Sequence, residues 1–457
     1  MERVDVAIVG GGPAGTAAAE AAARRDARTL VVEKGVPRAD RGELGPDSTD
    51  AAGMLDYWVD IMDVPFEEIP DEIVLRELDR TEFVGPTERC TMYSTGIDAS
   101  YPGFGFTFDR PRMDDWLRER AESAGAQYRV GTGVKRVESD LSSGHVHTLT
   151  LGDGSEIEAG HLILADGPQR NVTIPVLDRF VPAGRSMNDH LGPDHANHIA
   201  YQEHRRIPEE LFEESALKFW WGYIPGETAY PWIFPNDENV ARVGLTMPIG
   251  MDLADVTNPE DYPLLEPDDE RLPSGAVYLR RLLEHEFGDR YDVEADFPLV
   301  PDRGKRGGTE AYPISSTRPI DSPTRAGIAV VGGAMGTTSA FHEGGYHLAV
   351  RSGKIAGRLA AIDDLETYND TWKGVIGEEI LRNVAMARMV EGYTPADWDR
   401  TFRTARRMLA ETQGLEMLDR KFSAGIDATK LLFAYRKARF GFRDGRYVQF
   451  HESEYVL

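Results

Sequence analysis

The sequence predicts an α/β fold in which a Rossmann-type dinucleotide-binding domain carries an inserted α+β domain on an antiparallel sheet and a helical C-terminal region. Three observations lead to this prediction. A β-branched strand at residues 4–9 runs into a GxGxxG turn and an Ala-rich helix. The order of strand, glycine turn and helix returns at residues 327–359, after a middle third that alternates strands with Pro-rich and acidic connections. Beyond residue 362 the chain is charged and helical in pattern.

The first glycine turn has a suitable residue for phosphate binding at each position of the motif. Gly10 permits the tight turn, Gly12 lets the backbone approach a pyrophosphate, and Gly15 lets the helix pack closely on the strand. Pro13 and Ala14 begin that helix, whose N-terminus offers free N–H groups and a positive dipole end. These five residues form the first part of a predicted dinucleotide site.

An acidic residue, Glu33, follows the second apolar strand at residues 29–32. A carboxylate at this place can hold both ribose hydroxyls of an adenosine, and it disfavours a 2′-phosphate. Together with the glycine turn it predicts a site for the ADP half of a dinucleotide. The alternative is a purely structural glycine turn in an ordinary βαβ unit.

The composition excludes several classes of protein. A chain of 457 residues with 41% hydrophobic content can bury a large core. Its formal net charge of -26 excludes a general nucleic-acid binder, because attraction to phosphates requires the opposite sign. The acidic residues are spread along the chain and Arg far outnumbers Lys, which indicates a surface adapted to high salt. We therefore expect a halophilic, haloarchaeal-type source; the alternative is an ordinary acidic cytosolic protein.

Cysteine content and apolar runs bear on chemistry and location. The single cysteine, Cys90, excludes internal disulfides and an iron–sulfur cluster held by four thiolates. No run approaches the roughly 20 apolar residues that span a bilayer, and the N-terminus begins with a strand rather than a signal peptide. We expect a cytoplasmic protein.

The pattern along the chain predicts four segments. The dinucleotide-binding domain occupies residues 1–175 and returns at residues 310–365, on either side of a substrate-binding domain at residues 176–309. Residues 366–457 form the C-terminal helical region.

Two later segments of the chain complete the predicted dinucleotide site. Residues 162–167 form an apolar strand that ends in Asp166-Gly167. A second glycine turn follows a strand near residue 330 and precedes a helix, with glycines at Gly332, Gly333, Gly336, Gly344 and Gly345. Together the three segments resemble those of FAD-dependent oxidoreductases with the p-hydroxybenzoate hydroxylase or glutathione reductase type of fold. The resemblance implies a three-layer β/β/α FAD-binding domain, whose third segment wraps the ribityl and pyrophosphate and leads to the pyrimidine edge of the flavin.

Other motifs are similar to those of one family in this group, the geranylgeranyl reductases. The run Tyr-Pro-Trp-Ile-Phe-Pro at residues 230–235 resembles the family's Y-x-W-x-F-P element, and a strand follows it as in the family. Arg110, Asp114 and Leu117 resemble its R-x-x-x-D-x-x-L pattern, which places Arg110 among the expected cofactor-binding residues. The resemblance implies an enzyme that reduces C=C bonds of a polyprenyl lipid or quinone side chain by hydride transfer from reduced FAD.

The chain departs from the family at two places. Most members have Gly-Asp in the third segment, where this chain has Gly332-Gly333, so the hydrogen bond of that Asp is missing. Several archaeal members have Cys-Gly-Glu or Cys-Gly-Asp after the first acid, where this chain has Arg41-Gly42-Glu43. A role for that cysteine does not carry over.

The candidate substrate and catalytic residues follow from this scheme. Tyr230, Trp232 and Phe234 alternate along one strand and share a side, so they either line a prenyl channel or belong to the sheet core. His342, Glu343 and His347 flank the last two glycines and are the candidate polar groups near the isoalloxazine, with His342 and Glu343 preferred as proton donors; the alternative is a role in capping or solvating the helix end. The spacing of the four central histidines fits no recognised ligand set, so we predict no metal; they are His190, His195, His198 and His204.

Several partners and alternatives remain open at this point. Electrons would come from ferredoxin or a reduced nicotinamide. The basic, aromatic stretch at residues 430–443 either rests on the inner face of an anionic membrane or docks on the flavin domain. Alternative functions are a cluster-free flavoprotein that carries electrons to quinone, a flavin monooxygenase and a non-enzymatic flavin-binding protein.

Overall fold

The computed structural model describes residues 2–36, 51–142, 144–192, 198–304, 306–315, 317–411 and 426–457. Its strands are β1 (Glu2–Val9), β2 (Thr29–Val32), β3 (Gly53–Leu55), β4 (Val74–Leu78), β5 (Arg80–Val84), β6 (Arg89–Met92), β7 (Gly105–Phe108), β8 (Gln127–Arg129), β9 (Val134–Asp140), β10 (Val146–Leu151), β11 (Glu156–Leu164), β12 (His198–Arg206), β13 (Ala216–Trp220), β14 (Tyr230–Pro235), β15 (Val240–Pro248), β16 (Thr309–Ile314) and β17 (Ile328–Val330). Its helices are α1 (Pro13–Ala23), α2 (Asp56–Met62), α3 (Arg110–Ser123), α4 (Thr173–Leu177), α5 (Asn188–Leu191), α6 (Gly275–Phe287), α7 (Val293–Asp296), α8 (Gly332–Met335), α9 (Tyr346–Ala361), α10 (Tyr368–Val390), α11 (Pro395–Glu411) and α12 (Ile426–Phe442).

The first sheet has the order β8-β2-β1-β11-β10-β9, with β17 pairing with β11. Its central strands are parallel and its centre is buried on both faces, which explains why the end of β1, at residues 6–9, reads as a continuous apolar run rather than an alternating one. The register opposes Val9 to Leu164 and Leu164 to Val330. The three predicted segments therefore end at the same edge of one sheet, and the α/β fold class is confirmed.

The second sheet has the order β16-β12-β15-β14-β13-β5-β6 and is antiparallel apart from the β5–β13 pair. It contains β5 and β6, although the predicted division places residues 80–92 in the dinucleotide-binding domain. These two strands carry Phe83, Cys90 and Met92, whose side chains pack in the aromatic cluster on one face of this sheet. Burial of those side chains explains why the chain crosses to the second sheet so early.

Three further elements can be predicted from local sequence patterns. The pattern at residues 54–62 is that of a helix, but the helix begins only at Asp56, because β3 pairs with β7 first. The apolar pattern at residues 128–139 predicts one strand, which the structure divides into β8 and β9 at opposite edges of the first sheet. The pattern at residues 110–123 predicts a helix, and α3 confirms it.

The C-terminal region is helical, as predicted. On α12, Leu432 and Tyr435 are buried together with Ala385 of α10 and Met408 of α11. This face therefore docks on the neighbouring C-terminal helices rather than on the flavin domain, the docking surface expected from the sequence. Among the described residues, no helix has the length and apolar character needed to cross a membrane.

Helices α1 and α9 pack with their backbones in direct contact. A Cβ added to Gly353 would lie 2.0 Å from the Ala14 carbonyl oxygen, and one added to Gly357 would lie 2.0 Å from that of Ala18. Real Cβ atoms do not approach an oxygen so closely, so the two glycines permit this crossing.

We predict that Gly357→Ala lowers the free energy of unfolding by about 1–3 kcal/mol, because the added methyl group forces α9 away from α1. The matched control is Gly374→Ala in α10, where a Cβ would have no atom within 4 Å among the described residues. That change should stabilise the protein by about 0.5–1 kcal/mol through helix propensity. Denaturant unfolding of both variants checks the prediction, and equal effects would contradict it.

Candidate active site

The three predicted segments converge at the carboxyl edge of the first sheet. A Cβ on Gly10 would lie 2.4 Å from the Ala165 carbonyl oxygen, so the first and second turns are in contact. A Cβ on Gly332 would lie 2.7 Å from Cβ of Ala14, so the third turn contacts the start of α1. Sequence positions more than 300 residues apart thus form one cradle.

The start of α1 offers space for a phosphate group. A Cβ on Gly12 would have no described atom within 4 Å, whereas one on Gly15 would lie 1.9 Å from the Gly10 carbonyl oxygen. Pro13 is at the first helical position, and no side chain of the described residues caps this end. The helix N-terminus is therefore open on the side where Gly12 predicts a pyrophosphate.

Glu33 lies beside the same turn. Its Oε2 accepts a hydrogen bond from the Gly11 N–H at 2.6 Å, and its Oε1 accepts one from the Gly35 N–H at 2.6 Å. A carboxylate has about four acceptor sites, so each oxygen keeps capacity for a ribose hydroxyl. These features fit the ADP half of FAD.

Arg110 connects α3 with the start of α9. Its Nε donates to Asp114 Oδ2 at 2.9 Å, and its guanidinium carbon lies 4.6 Å from the centre of the Tyr346 ring. The Tyr346 hydroxyl also donates to Asp114, at 3.0 Å. Arg110 thus braces the helix that follows Gly344 and Gly345, and its contact with the cofactor stays a prediction.

Asp166 and Gly167 lie in the second turn. The Asp166 carboxylate accepts hydrogen bonds from the Val172 N–H at 2.7 Å, from the Thr173 N–H at 3.1 Å and from the Thr173 hydroxyl. It therefore holds the loop that leads into α4. Gly167 has a φ of +73°, in the region that favours glycine.

His342 lies beside the third segment and is partly buried. Burial lowers its pKa to about 4. The Gly344 N–H donates to its Nδ1 at 3.2 Å, so the neutral ring carries its proton on Nε2. The His342 and His347 rings stack on Trp58 at centroid distances of 4.9 Å and 4.3 Å. The two histidine rings stacked on Trp58 hold the turn that contains Gly344 and Gly345 in place.

Glu343 links the third segment to the second sheet. It has a φ of +57°, a costly conformation for a residue other than glycine. Its carboxylate accepts hydrogen bonds from the Thr246 hydroxyl and, at 3.3 Å, from the Thr228 hydroxyl, and His198 Nδ1 lies 2.8 Å from Oε1. Three residues from the predicted substrate-binding domain thus converge on one buried carboxylate.

The aromatic residues of β14 share one face, as expected, and this face is buried. They belong to a cluster that we name the aromatic layer, whose buried aromatic members are Phe104, Trp221, Tyr230, Trp232, Phe234, Trp398 and Phe402. The Tyr230 hydroxyl donates to the His342 carbonyl oxygen at 2.5 Å. The aromatic layer therefore borders the turn that carries both candidate proton donors.

Some predicted features fall elsewhere. Arg41-Gly42-Glu43 and His195 lie outside the described residues. Among the described residues, no group of three or more His, Cys, Asp or Glu side chains is arranged to hold a metal. From the sequence, His198 is a candidate only for metal binding. Its contact with Glu343 is not predictable, because no local sequence pattern connects these two distant positions.

The depressed pKa of His342 predicts an acid-sensitive fold. In the unfolded chain His342 binds a proton with an ordinary pKa near 6.5, whereas in the folded protein it does so only at a pKa of about 4. The free energy of unfolding is therefore unaffected by this group above pH 6.5 and decreases as the pH falls towards 4. We expect His342→Gln to lose about 3 kcal/mol less free energy of unfolding than wild type over this range. Denaturant unfolding at pH 8, 6 and 4 checks this, and parallel losses in both proteins would contradict it.

Comparison with known proteins agrees with this site. Residues 5–165 match the family model described as FAD dependent oxidoreductase. The chain is 26% identical over 393 residues to digeranylgeranylglycerophospholipid reductase 2 of Methanopyrus kandleri, covering 82% of this chain and 83% of the relative. It is 25% identical over 437 residues to the digeranylgeranylglycerophospholipid reductase of Methanocaldococcus jannaschii, covering 94% and 93%.

Solved structures share the fold. A geranylgeranyl bacteriochlorophyll reductase-like protein from Thermoplasma acidophilum has a TM-score of 0.67 at 20% identity, covering 97% of this chain and 99% of that chain. The myxobacterial chondrochloren halogenase has a TM-score of 0.58 at 17% identity, covering 98% and 100%. This chain is therefore an FAD-dependent oxidoreductase, and its relatives in sequence are digeranylgeranylglycerophospholipid reductases.

Proposed function

We propose that this enzyme reduces C=C bonds of a geranylgeranyl-type prenyl chain carried by a lipid or a quinone. The observation that carries the proposal is the position of the aromatic layer, an apolar wall that borders residues 342–345. A long hydrocarbon chain requires such a wall, whereas a small polar substrate does not. The names of the sequence relatives support the same substrate class.

The chemistry needs a hydride and a proton on the two carbons of the double bond. FAD, when bound and reduced, supplies the hydride. The side chains of the aromatic layer exclude water from the double bond. Glu343 transfers a proton to the second carbon of that bond. His198, 2.8 Å from the Glu343 carboxylate, then returns a proton to it. His342, held neutral by burial, accepts the Gly344 N–H and keeps the turn in place.

The alternatives receive less support. A flavoprotein carrier to quinone or a monooxygenase needs the same cradle, but neither needs a buried carboxylate joined to the substrate-binding domain. The likeness to a halogenase is one of fold. Ferredoxin or a reduced nicotinamide stays the proposed electron donor, and the rate of flavin reduction by each decides between them.

We expect geranylgeranyl lipid to reoxidise the dithionite-reduced protein under anaerobic conditions, and its saturated analogue to leave the protein reduced. Trp232→Phe should slow this reoxidation about tenfold, an effect of roughly 1.4 kcal/mol on the barrier. The matched control is Trp220→Phe, on the opposite face of the same sheet, which should leave the rate within about twofold. Stopped-flow flavin absorbance measures the reoxidation rate of the wild type and of both variants. Reoxidation by neither lipid would refute the proposal, and equal effects of both variants would assign Trp232 to the core.

Glu343→Gln should slow reoxidation by the prenyl lipid about 100-fold or more, because a general acid contributes effects of that size. Reduction of the flavin by dithionite should not change. The control is Glu227→Gln, which removes a nearby exposed carboxylate. If both half-reactions slow equally, or FAD is lost, Glu343 shapes the turn and does not donate the proton.

We further propose that the outer face of α12 rests on the inner surface of an anionic membrane. Phe433 and Phe440 on this helix are 68% and 57% exposed, and Arg443 lies over the Phe440 ring at 3.8 Å. Basic side chains contribute about 1 kcal/mol each near such a surface, and salt screens them. The protein should float with anionic liposomes, and Phe433→Ser/Phe440→Ser should not. If the wild type stays unbound at low and high salt, the substrate arrives by another route.

A further inference from the structure

Arg170 is a buried cation in the loop between β11 and α4. Its side chain is among the largest that are fully buried, with 1% exposure. Burial lowers the pKa of its guanidinium to about 10, so the group is still charged at neutral pH. A charge in such a place needs compensation by an anion or by a complete set of hydrogen bonds.

All hydrogen bonds of Arg170 go to neutral oxygens in the part of the chain that the structure describes. Nε donates to the Ala334 carbonyl at 3.0 Å, and Nη2 donates to the Gly333 carbonyl at 3.0 Å. Nη1 faces three acceptors, which are Ser315 Oγ at 3.0 Å, the Leu191 carbonyl at 3.1 Å and the Pro168 carbonyl at 3.3 Å. Nη2 has two N–H groups and this single acceptor, so one N–H is left over.

The loop is built to hold this side chain in place. Arg170 has a φ of +52°, in the left-handed region that costs free energy for a residue other than glycine. The Asp166 carboxylate closes the loop on both sides of Arg170 through the Val172 and Thr173 N–H groups. This carboxylate is the strongest electrostatic neighbour of the guanidinium, although the two groups share no hydrogen bond.

The glycine turn beside Arg170 has little space for a side chain. A Cβ on Gly333 would lie 3.1 Å from Cδ of Pro168 and 3.3 Å from its nitrogen. A residue larger than glycine therefore has to displace Pro168, whose carbonyl also accepts from Arg170. The absent carboxylate at position 333 and the buried cation at position 170 thus occupy adjoining places in the structure.

We propose that Arg170 is the residue that positions the Gly332–Gly336 turn for FAD, in place of a carboxylate at position 333, and that the FAD pyrophosphate balances its charge. The guanidinium holds the carbonyl side of the turn, which leaves the opposite side to the cofactor. FAD carries two negative charges on its pyrophosphate, whereas the nearby Asp166 carboxylate acts on Arg170 without a hydrogen bond between them in the described part of the chain. The inference rests on FAD binding and is independent of the prenyl substrate.

The test compares Arg170→Lys with Arg170→Gln, because both can donate to the turn carbonyls and only the first keeps the charge. Flavin fluorescence during titration of the apoprotein gives the dissociation constant of FAD. Thermal unfolding of each apoprotein gives the loss of structure that the change itself causes. We expect similar unfolding temperatures for the two variants, with FAD bound within about threefold of wild type by the Lys variant and at least about tenfold more weakly by the Gln variant. Equal weakening in both variants, or no weakening in either, would overturn the proposal.

The Gly333→Asp variant supplies an independent test of the same proposal. In the presence of Arg170 the new carboxylate should pair with the guanidinium and crowd Pro168, and FAD should bind more weakly. In the Arg170→Gln background the same change should weaken FAD less, or tighten it. If Gly333→Asp tightens FAD while Arg170 is present, the two positions do not substitute for one another and the proposal fails.

Discussion

Direct backbone contact between α1 and α9 is the constraint on which the rest of the site depends. Where Gly353 meets Ala14 and Gly357 meets Ala18, no side chain separates the two helices. Helix α1 carries the first glycine turn at its start, and α9 follows the third. Their spacing therefore fixes the distance between the two halves of the cradle. Close packing of this kind resists deformation, so the cradle is set by the fold before the cofactor arrives.

The short turn at residues 342–345 is one of the places where the second domain contacts this frame; Arg242, which donates to the Ala51 and Phe108 carbonyls, is another. The polar contacts of the turn include the Tyr230 hydroxyl on the His342 carbonyl and three side chains on the Glu343 carboxylate. Buried polar groups tolerate little displacement, because a lost partner leaves a desolvated atom behind. The turn thus transmits the position of the second sheet to the place where the flavin edge is expected.

Much of the fold was predictable because its signals are local. The glycine turns, Glu33 and the buried strands are each encoded within about 30 residues, and the structure brings them together at one sheet edge. The roles of Arg170 and His198 were not predictable, because each depends on partners more than 140 residues away. The same reason applies to β5 and β6, whose sheet is decided by the aromatic residues that they cover. A halophilic source stays a prediction, since composition and charge are its only support.

The parallel pairing of β5 with β13 joins two distant parts of the chain and delays closure of the second sheet. Thr81 and Leu217 are joined by a hydrogen bond across 136 positions, and the intervening segment includes most of the first sheet. On a ribosome, β5 and β6 emerge long before their partner strand and present unpaired edges during that interval. Non-local closure of this kind makes folding slow.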